Sequence, residues 1–467
     1  MSDSIEKQIE PDWAGLGIPV THEAVLPGHK KNVTDLTLDK TCTRMVSGGE
    51  DYNILFWDFP NMTTSYRHFR TLQPIEGQPI QTCSFDNKGT KIFVCGRSPK
   101  PKLLTRDGKE IIEFVRGDMY ISDVAFSRGH ISTVTSGYWH PTDENILITS
   151  SMDSTVRIWD VNSGPFGIEA QLANLKCIRC KNSKGLKTGV FRCKISPDAT
   201  LIAAACEDGS FQMFSEKNQY SRPVHEYRRN QGAEITDMQF FKDSHRFVSR
   251  ATDNTMRLFD LRNFKAPVYT WYDLLNNSSH TSMAISPDER HIATGTSNTK
   301  SDLGQLAIFS TSPGDEYAEI GRIQVAEGKV NAVIWPEQLN QIIMAAGNDI
   351  KIFYSPNLSS RGAMLGAKRK VREKHIEEME YKRPVYTPHA LPLYNENHKY
   401  KRKNYEQKRE DTKLSHKPEI PLTGVGKGGK ISGPNTLTQN IMATINRVDQ
   451  TNMIDPRVAA ARFAKEA

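Results

Sequence analysis

Short apolar runs alternate with polar turns along most of the chain, and residues 149–160 show the pattern most clearly. An apolar run at residues 146–148 leads into a polar turn at residues 153–155. Residues 156–160 then alternate apolar and polar positions and end in Trp159-Asp160. A period of two predicts two short strands joined by a tight turn. One such hairpin does not bury its own apolar face, so we expect further copies.

Residues 47–58 repeat this pattern with the same spacing. In both copies an Asp lies six residues before a Trp, and a hydroxyl lies four residues before that Asp. Weaker copies keep only part of the pattern and end in Phe, or in Arg106-Asp107. The strand-end markers are residues 57, 106, 159, 214, 259, 309 and 353. Their steps of 44 to 55 residues match one propeller blade of four strands, so the sequence predicts seven blades.

A Gly-His pair precedes each of the two complete copies. The pattern G-H, S/T, D and W-D resembles the WD-repeat family, in which the four side chains form one buried hydrogen-bond relay. The Asp orients the His, the hydroxyl bridges, and the Trp N–H ends the chain. We therefore assign a structural role, not a catalytic one, to the relay residues, which are His29, Ser47, Asp51, Trp57, His130, Thr149, Asp153 and Trp159.

The boundaries follow from where the repeats begin and end. Residues 1–17 read as a polar leader, and residues 18–360 as an all-β propeller. A closed ring leaves no open edge only if its first and last blades share strands. We therefore predict that residues 18–26 pair with residues near 330–354 as the closing strand. Residues 361–467 read as a basic, largely extended C-terminal arm with short helices, one of them at residues 367–381.

Composition limits the function classes. The chain has 467 residues, of which 25% are charged and 37% hydrophobic, and no apolar run approaches a membrane span. It lacks a signal peptide and carries seven cysteines without a disulfide framework, so we expect a reducing compartment, the cytosol or nucleus. Phosphate-loop, H-E-x-x-H and G-x-S-x-G patterns are missing, and we expect no enzyme and no cofactor.

Four cysteines have spacings that resemble a thiolate zinc site. Cys177 and Cys180 form C-x-x-C, and Cys193 and Cys206 follow at 13-residue steps. The last two fit strand positions in the blade core, where a free Cys behaves as a small hydrophobe. We therefore predict no metal site.

The copy that ends near residue 259 has an extension that favours partner binding. Phe259-Asp260-Leu261-Arg262 has the form aromatic-Asp-x-Arg. In WD-repeat substrate receptors of cullin-RING ubiquitin ligases, such an Arg contacts the damaged-DNA-binding adaptor. An Arg fork held at a strand end suits carboxylates and carbonyls. We predict that Phe259, Asp260 and Arg262 bind a partner; an exposed rim Arg without a partner is the alternative.

The basic charge belongs to the arm. Residues 361–467 hold 22 Lys and Arg against 12 Asp and Glu, a net of +10, whereas the whole chain is +7 and residues 1–360 about −3. The basic clusters Lys368-Arg369-Lys370 and Lys401-Arg402-Lys403 read as nuclear-import signals or as nucleic-acid contacts. A solvated charged tail is the alternative. Tyr400 and Tyr405 lie among the basic residues and could stack on bases.

Motifs in the arm narrow the resemblance. They are T-P-H-A-L-P at residues 387–392, S-H-K-P-E-x-P with G-x-G-x-G-G at 415–429, D-P-R at 455–457 and R-G-A-x-L at 361–365. Together with I-P-x-x-H-E at residues 18–23, they resemble the gastrulation-defective (WD repeat-containing protein 70) family. The family's long acidic N-terminal extension is nearly absent here.

The resemblance implies a nuclear, non-enzymatic scaffold. Family members are linked to double-strand-break processing and to histone ubiquitylation through cullin-RING ligases, and also to spliceosomal particles. The chain is accordingly expected to act as a monomer within a larger complex of protein partners, without membrane contact. The arm offers a contact to nuclear ribonucleoprotein or nucleic acid, ordering as it binds.

Overall fold

The structure is a computed structural model that describes residues 13, 15–121, 123–163, 171–228, 233–297, 303–312 and 317–369. The chain divides after Arg372 into two units, and the first contains all of the described residues. Among those residues no helix has the length and apolar character that a membrane crossing requires.

The described residues form seven four-stranded antiparallel sheets, which are the blades of a propeller. Blade 1 contains β2 (Val33–Leu38), β3 (Arg44–Gly49), β4 (Ile54–Asp58) and β5 (Arg70–Leu72). Blade 2 contains β6 (Ile80–Phe85), β7 (Lys91–Gly96), β8 (Lys102–Thr105) and β9 (Glu110–Glu113). Blade 3 contains β10 (Val134–Trp139), β11 (Ile146–Ser151), β12 (Thr155–Asp160) and β13 (Asn174–Arg179). Blade 4 contains β14 (Val190–Ile195), β15 (Leu201–Cys206), β16 (Phe211–Ser215) and β17 (His225–Tyr227).

The remaining three blades follow the same order along the chain. Blade 5 contains β18 (Ile235–Phe240), β19 (Arg246–Ala251), β20 (Met256–Asp260) and β21 (Tyr269–Trp271). Blade 6 contains β22 (Met283–Ile285), β23 (His291–Gly295), β24 (Leu303–Ser310) and β25 (Glu319–Glu327). Blade 7 contains β26 (Val330–Ile334), β27 (Ile342–Ala346), β28 (Asp349–Tyr354) and β1 (His22–Leu26). The seven-bladed propeller that the sequence predicts is therefore confirmed.

The ring closes through its N-terminal strand. β1 pairs antiparallel with β28, in a register that places His22 opposite Tyr354 and Leu26 opposite Ile350. Blade 7 is thus built from both ends of the propeller sequence. Asn331 Nδ2 also donates to the carbonyl of Val33 at 2.7 Å, which joins blade 7 to blade 1 near the ring axis.

The core lies between neighbouring blades. The second strand of most blades is sandwiched on both faces, and β15 buries five of its six residues. Such strands lose the alternation of apolar and polar positions and become apolar runs. Close approach also matters: a Cβ on Gly137 would lie 2.2 Å from the Phe93 ring of blade 2. Only glycine lets that ring pack against the blade 3 backbone.

All innermost strands run in the same direction along the central channel. We call the face at which they begin the upper face and the face at which they end the lower face. A short helix, α1 (Ala363–Ala367), follows blade 7 and contacts the 3-10 turn Phe59–Asn61 of blade 1. Ala367, the first residue of the helix predicted at residues 367–381, is the last residue of α1. Lys368 and Arg369 are not helical, and residues 370–381 lie outside the described structure.

Candidate functional site

The relay of blade 1 connects four side chains from three parts of the chain. His29 Nδ1 lies 3.1 Å from Asp51 Oδ1, and His29 Nε2 lies 2.8 Å from Ser47 Oγ. Trp57 Nε1 donates to the same hydroxyl at 3.0 Å. Ser47 lies in β3 and Trp57 in β4, so the relay ties two strands to the loop that precedes the blade.

Blade 3 repeats this geometry. His130 Nδ1 lies 2.9 Å from Asp153 Oδ2, and His130 Nε2 lies 2.7 Å from Thr149 Oγ1. Trp159 Nε1 donates to Thr149 Oγ1, also at 2.7 Å. Because the Asp153 carboxylate only accepts, Nδ1–H of His130 donates to it. Nε2 of the neutral imidazole then has no hydrogen and accepts from the Thr149 hydroxyl, whose oxygen accepts from the Trp159 N–H.

Burial determines the charge states of this relay. Burial lowers the pKa of His130 and outweighs the opposing charge of Asp153, so the imidazole is neutral at pH 7. Burial would raise the pKa of Asp153, but the charge that His130 carries when it is protonated, its hydrogen bond and the Thr155 hydroxyl lower that pKa well below the usual range. Each relay residue has its hydrogen-bond partner inside the blade and is therefore not available to a ligand.

Blade 5 places different residues at the same register positions. Phe259 stands where blade 3 has Trp159, and it pairs with Phe247 as Trp159 pairs with Leu147. Asp253 accepts from Arg257 Nη2 at 2.6 Å, where blade 3 has a histidine partner. The blade is held by stacked rings instead, with centroids 4.9 Å apart for Phe247 and Phe259.

The three residues of blade 5 that are predicted to bind a partner differ in their exposure. Phe259 is 0% exposed and belongs to the core, so it contacts no partner, and its predicted binding role is corrected to packing. Asp260 caps the 3-10 turn Leu261–Asn263 by accepting from the backbone N–H of Arg262 at 2.9 Å. The Arg262 side chain is exposed on the lower rim. The candidate surface is thereby narrowed to Asp260 and Arg262.

Blade 2, whose sequence pattern is eroded, is a complete blade with its own contacts. Leu104 pairs with Ile92 as Trp57 pairs with Met45, so it stands at the position of the missing Trp. Two residues further on, Arg106 pairs with the buried Asp39 of blade 1 at 2.9 Å between Nη2 and Oδ2. The next residue, Asp107, forms an ion pair with Arg44 of blade 1. Ion pairs with the neighbouring blade replace the relay here.

The four cysteines of the zinc alternative lie in or beside the interface of blades 3 and 4. The Cys180 and Cys206 thiols contact each other, and this contact together with burial raises the pKa of Cys180 well above its usual value. Burial also raises the pKa of Cys193 and Cys177. Within the described ranges, no three or more His, Cys, Asp or Glu side chains are grouped as metal ligands would be.

The start of the basic arm lies against the propeller. The carbonyl of Arg369 accepts from Thr64 N at 3.0 Å, and its guanidinium donates to the carbonyl of Pro60. Tyr66 Oη donates to the carbonyl of Ala363 at 3.2 Å. Lys368 is exposed at the end of α1. Of the other predicted arm residues, Lys370, Lys401, Arg402 and Lys403 lie outside the described structure.

Several buried polar residues have no signal in the repeat pattern. Arg157 is fully buried and donates to the carbonyl of Val124 at 2.9 Å and to Asn174 Oδ1 at 2.8 Å, which fixes the loop before blade 3. A second network joins blades 5, 6 and 7. In it Thr281 Oγ1 donates to Asn276 Oδ1 and Ser278 Oγ donates to Asn331 Oδ1, at 2.8 and 2.9 Å.

The central channel opens at both faces of the ring. The lower mouth encloses about 480 Å3 and the upper mouth about 230 Å3. Arg192 of β14 reaches both. Outside the channel, Met119, Tyr120 and Phe126 are exposed on the loop between blades 2 and 3.

Comparisons with known proteins agree with this geometry. The WD domain, G-beta repeat family matches residues 21–58 and 121–160, which contain both relays. The chain is 36% identical over 459 residues to the Gastrulation defective protein 1 homolog of Drosophila melanogaster, covering 96% of this chain and 68% of the fly protein. It is 34% identical to WD repeat-containing protein 70 of Homo sapiens, with coverage of 96% and 68%. The same protein of Xenopus tropicalis is 34% identical, with coverage of 97% and 72%.

Proposed function

Because this chain belongs to the WD repeat-containing protein 70 family, we propose that it is a non-enzymatic nuclear scaffold that works with a cullin-RING ubiquitin ligase. Its processes would be double-strand-break processing and histone ubiquitylation. The observation that carries the proposal is Arg262, exposed on a turn that the fold holds rigidly. The WD-repeat propeller supports a scaffold role in general, since propellers of this kind bind protein partners along their rims and at the ends of their channels.

The turn that presents Arg262 is anchored on three sides. Leu261 and Phe264 are buried beside it, each 8% exposed, and Asp260 caps it. An anchored backbone loses little conformational entropy when the side chain binds. A guanidinium fork there can donate to a carboxylate or to backbone carbonyls of an adaptor.

The test compares Arg262→Ala with a matched control in blade 4. Lys217 occupies the equivalent turn, Glu216–Asn218, and Ser215 caps it by accepting from Lys217 N at 3.3 Å. Tagged wild type, Arg262→Ala and Lys217→Ala are incubated with purified damaged-DNA-binding adaptor. We expect Arg262→Ala alone to lose most of the recovered adaptor. Equal recovery with all three would remove the ligase proposal.

A splicing-particle scaffold anchored by the basic arm is the second candidate. Its support is the net charge of +10 in residues 361–467, which favours ribonucleoprotein or nucleic-acid contact. Residues 361–369 pack on blades 7 and 1, since Gln341 Nε2 donates to the carbonyl of Arg361 at 3.1 Å. Truncation after Arg372 therefore removes residues 373–467, with the cluster Lys401-Arg402-Lys403, and keeps those contacts.

Sedimentation of nuclear extract distinguishes the second candidate from the first. The full chain should co-sediment with small nuclear ribonucleoproteins, and the chain truncated after Arg372 should not. Binding should weaken as salt rises from 50 to 200 mM, on the order of tenfold or more, because released counterions drive it. Co-sedimentation of the truncated chain would show that residues 373–467 are not the anchor. Nuclear import of the full chain tests the proposed localisation, and import of the truncated chain tests whether Lys368-Arg369-Lys370 suffices without Lys401-Arg402-Lys403.

A further inference from the structure

Three cationic side chains and one histidine, from four places in the chain, lie near the upper mouth of the channel. Arg97 is exposed in the turn after β7, and Arg192 lies in β14. His280 precedes β22, and Lys329 lies in the turn before β26. The charges of Arg192, Arg97 and Lys329 all reach His280. Arg97 of blade 2, Arg192 of blade 4 and His280 before blade 6 thus line one cavity of about 230 Å3, and the charge of Lys329 acts on its His280.

Among the residues that the structure describes, no carboxylate lines this cavity. Its other polar lining comes from hydroxyls and an amide, including Thr133, Ser279 and Gln81. Arg192 donates to neutral acceptors, the carbonyl of Thr236 at 2.8 Å and Thr82 Oγ1 at 3.0 Å. Among the described residues, neither Arg97, Arg192 nor Lys329 has an acidic partner within 4 Å.

His280 gives a second, independent indication of a ligand. Its side chain lines the cavity and is 9% exposed, yet Nδ1 has no hydrogen-bond partner in the described part of the chain. A buried polar atom without a partner is costly unless something binds it. Burial, followed by the nearby charges of Arg192, Arg97 and Lys329, lowers the pKa of His280 to about 3. An anion in the cavity would offset those charges.

We propose that the upper mouth binds a phosphate-type anion, carried as the phosphorylated serine or threonine side chain of a protein partner. Several basic groups around one cavity suit a phosphate dianion, which has three acceptor oxygens. The cavity admits one side chain, and residues 1–360 carry a net charge of about −3, which disfavours a long polyanion such as nucleic acid. Val134 and Phe191 add apolar lining for the residues beside the phosphate.

The experiment uses the full chain and a labelled pentapeptide, Ala-Ala-phosphoserine-Ala-Ala, followed by fluorescence anisotropy. The serine and glutamate peptides and inorganic phosphate complete the set of probes. We expect the phosphopeptide to bind, the serine peptide not to bind, and phosphate to compete. If phosphate binds as well as the phosphopeptide does, the proposal that the anion belongs to a protein partner is wrong. If neither binds, the upper mouth is not an anion site.

Matched variants locate the bound group. Arg97→Gln should weaken phosphopeptide binding about tenfold, the usual effect of losing one charge-assisted hydrogen bond. Lys194→Gln removes the same charge at the lower mouth and should stay within about twofold. Equal effects of the two variants would place the anion elsewhere. Arg97 is exposed, so the variant should fold, which circular dichroism checks.

A second readout follows His280 directly. Bound phosphopeptide should raise the pKa of His280, measured from its imidazole resonances by NMR, whereas binding elsewhere would leave it unchanged. Arg262→Ala should not alter this shift, because Arg262 lies on the lower face. The experiments therefore test the anion site and the proposed ligase surface independently of each other.

Discussion

Blades 3 and 5 carry nearly the same pattern of positions but hold themselves together differently. Blade 3 joins His130, Thr149, Asp153 and Trp159 in a buried polar relay. Blade 5 has Ser249, Asp253 and Phe259 at the corresponding positions and packs its aromatic rings together. A tryptophan N–H requires a buried acceptor, whereas a phenylalanine does not. Blade geometry is therefore set by strand pairing and apolar burial, and the relay is one of several ways to fix it.

Removing the ring of Phe259 should have the largest effect on blade 5. Phe259→Ala leaves a cavity among Phe247, Tyr227 and Phe264, and we expect a loss of about 3–5 kcal/mol in the free energy of unfolding. Urea unfolding measures it. Tyr272→Ala, at a 70% exposed ring, is the control and should change little. A loss below about 1 kcal/mol for Phe259→Ala would show that the ring cluster does not hold the blade.

Breaking the relay of blade 3 should cost somewhat less. Thr149→Val keeps the side-chain shape but leaves Trp159 Nε1 and His130 Nε2 without their shared partner. We expect a loss of about 2–3 kcal/mol in the free energy of unfolding. Ser249→Ala is the matched change in blade 5 and should cost less than about 1 kcal/mol, because Phe259 has no N–H to satisfy. Equal losses in the two blades would contradict the comparison.

Acid should weaken the relay blades selectively. The pKa of His130 is lowered in the fold, so its contribution to stability is present above about pH 6.5 and declines as pH falls below it. Asp153, whose pKa is also lowered, contributes above about pH 4 and adds little change between pH 7 and 5. The slope from His130 is at most about 1.4 kcal/mol per pH unit.

The control for this pH effect is a chain without the imidazole. His130→Gln should unfold with a shallower dependence on pH between 7 and 5 than wild type, by about 1 kcal/mol per unit. Parallel curves for the two chains would mean that His130 is not neutral and buried in solution.

Arg262→Ala should have the smallest effect on stability. The side chain is exposed on the lower rim, and the backbone N–H that bonds Asp260 remains after substitution. We expect a change within about 0.5 kcal/mol. A loss above about 1 kcal/mol in thermal or urea unfolding would make Arg262 part of the fold and weaken its assignment as a partner contact.

The repeat spacing predicts the seven blades because strand length and turn chemistry recur along the chain. The relay residues are recognisable for the same reason, since four residue types at fixed spacing have one geometric solution. Phe259 shows the limit of this reasoning. Its place in an aromatic-Asp-x-Arg pattern says nothing of exposure, and burial follows from the strand face on which it lies.

Other features depend on contacts between distant residues. Arg97, Arg192 and His280 meet only because the ring turns their blades toward one axis, and no local pattern marks them. Arg157 occupies the same register position as Arg257, yet one is fully buried and the other pairs with Asp253. The loop before each blade determines the difference, and its path is not encoded in strand periodicity.

The shared construction of blade 7 has a consequence for synthesis on the ribosome. β1 is made first, yet its partner β28 ends at Tyr354, more than three hundred residues later. Until that strand emerges, β1 remains an unpaired edge that can join the wrong neighbour. Non-local closure of this kind is slow. We therefore expect the nascent chain to need shielding by a chaperone until its last blade has been translated.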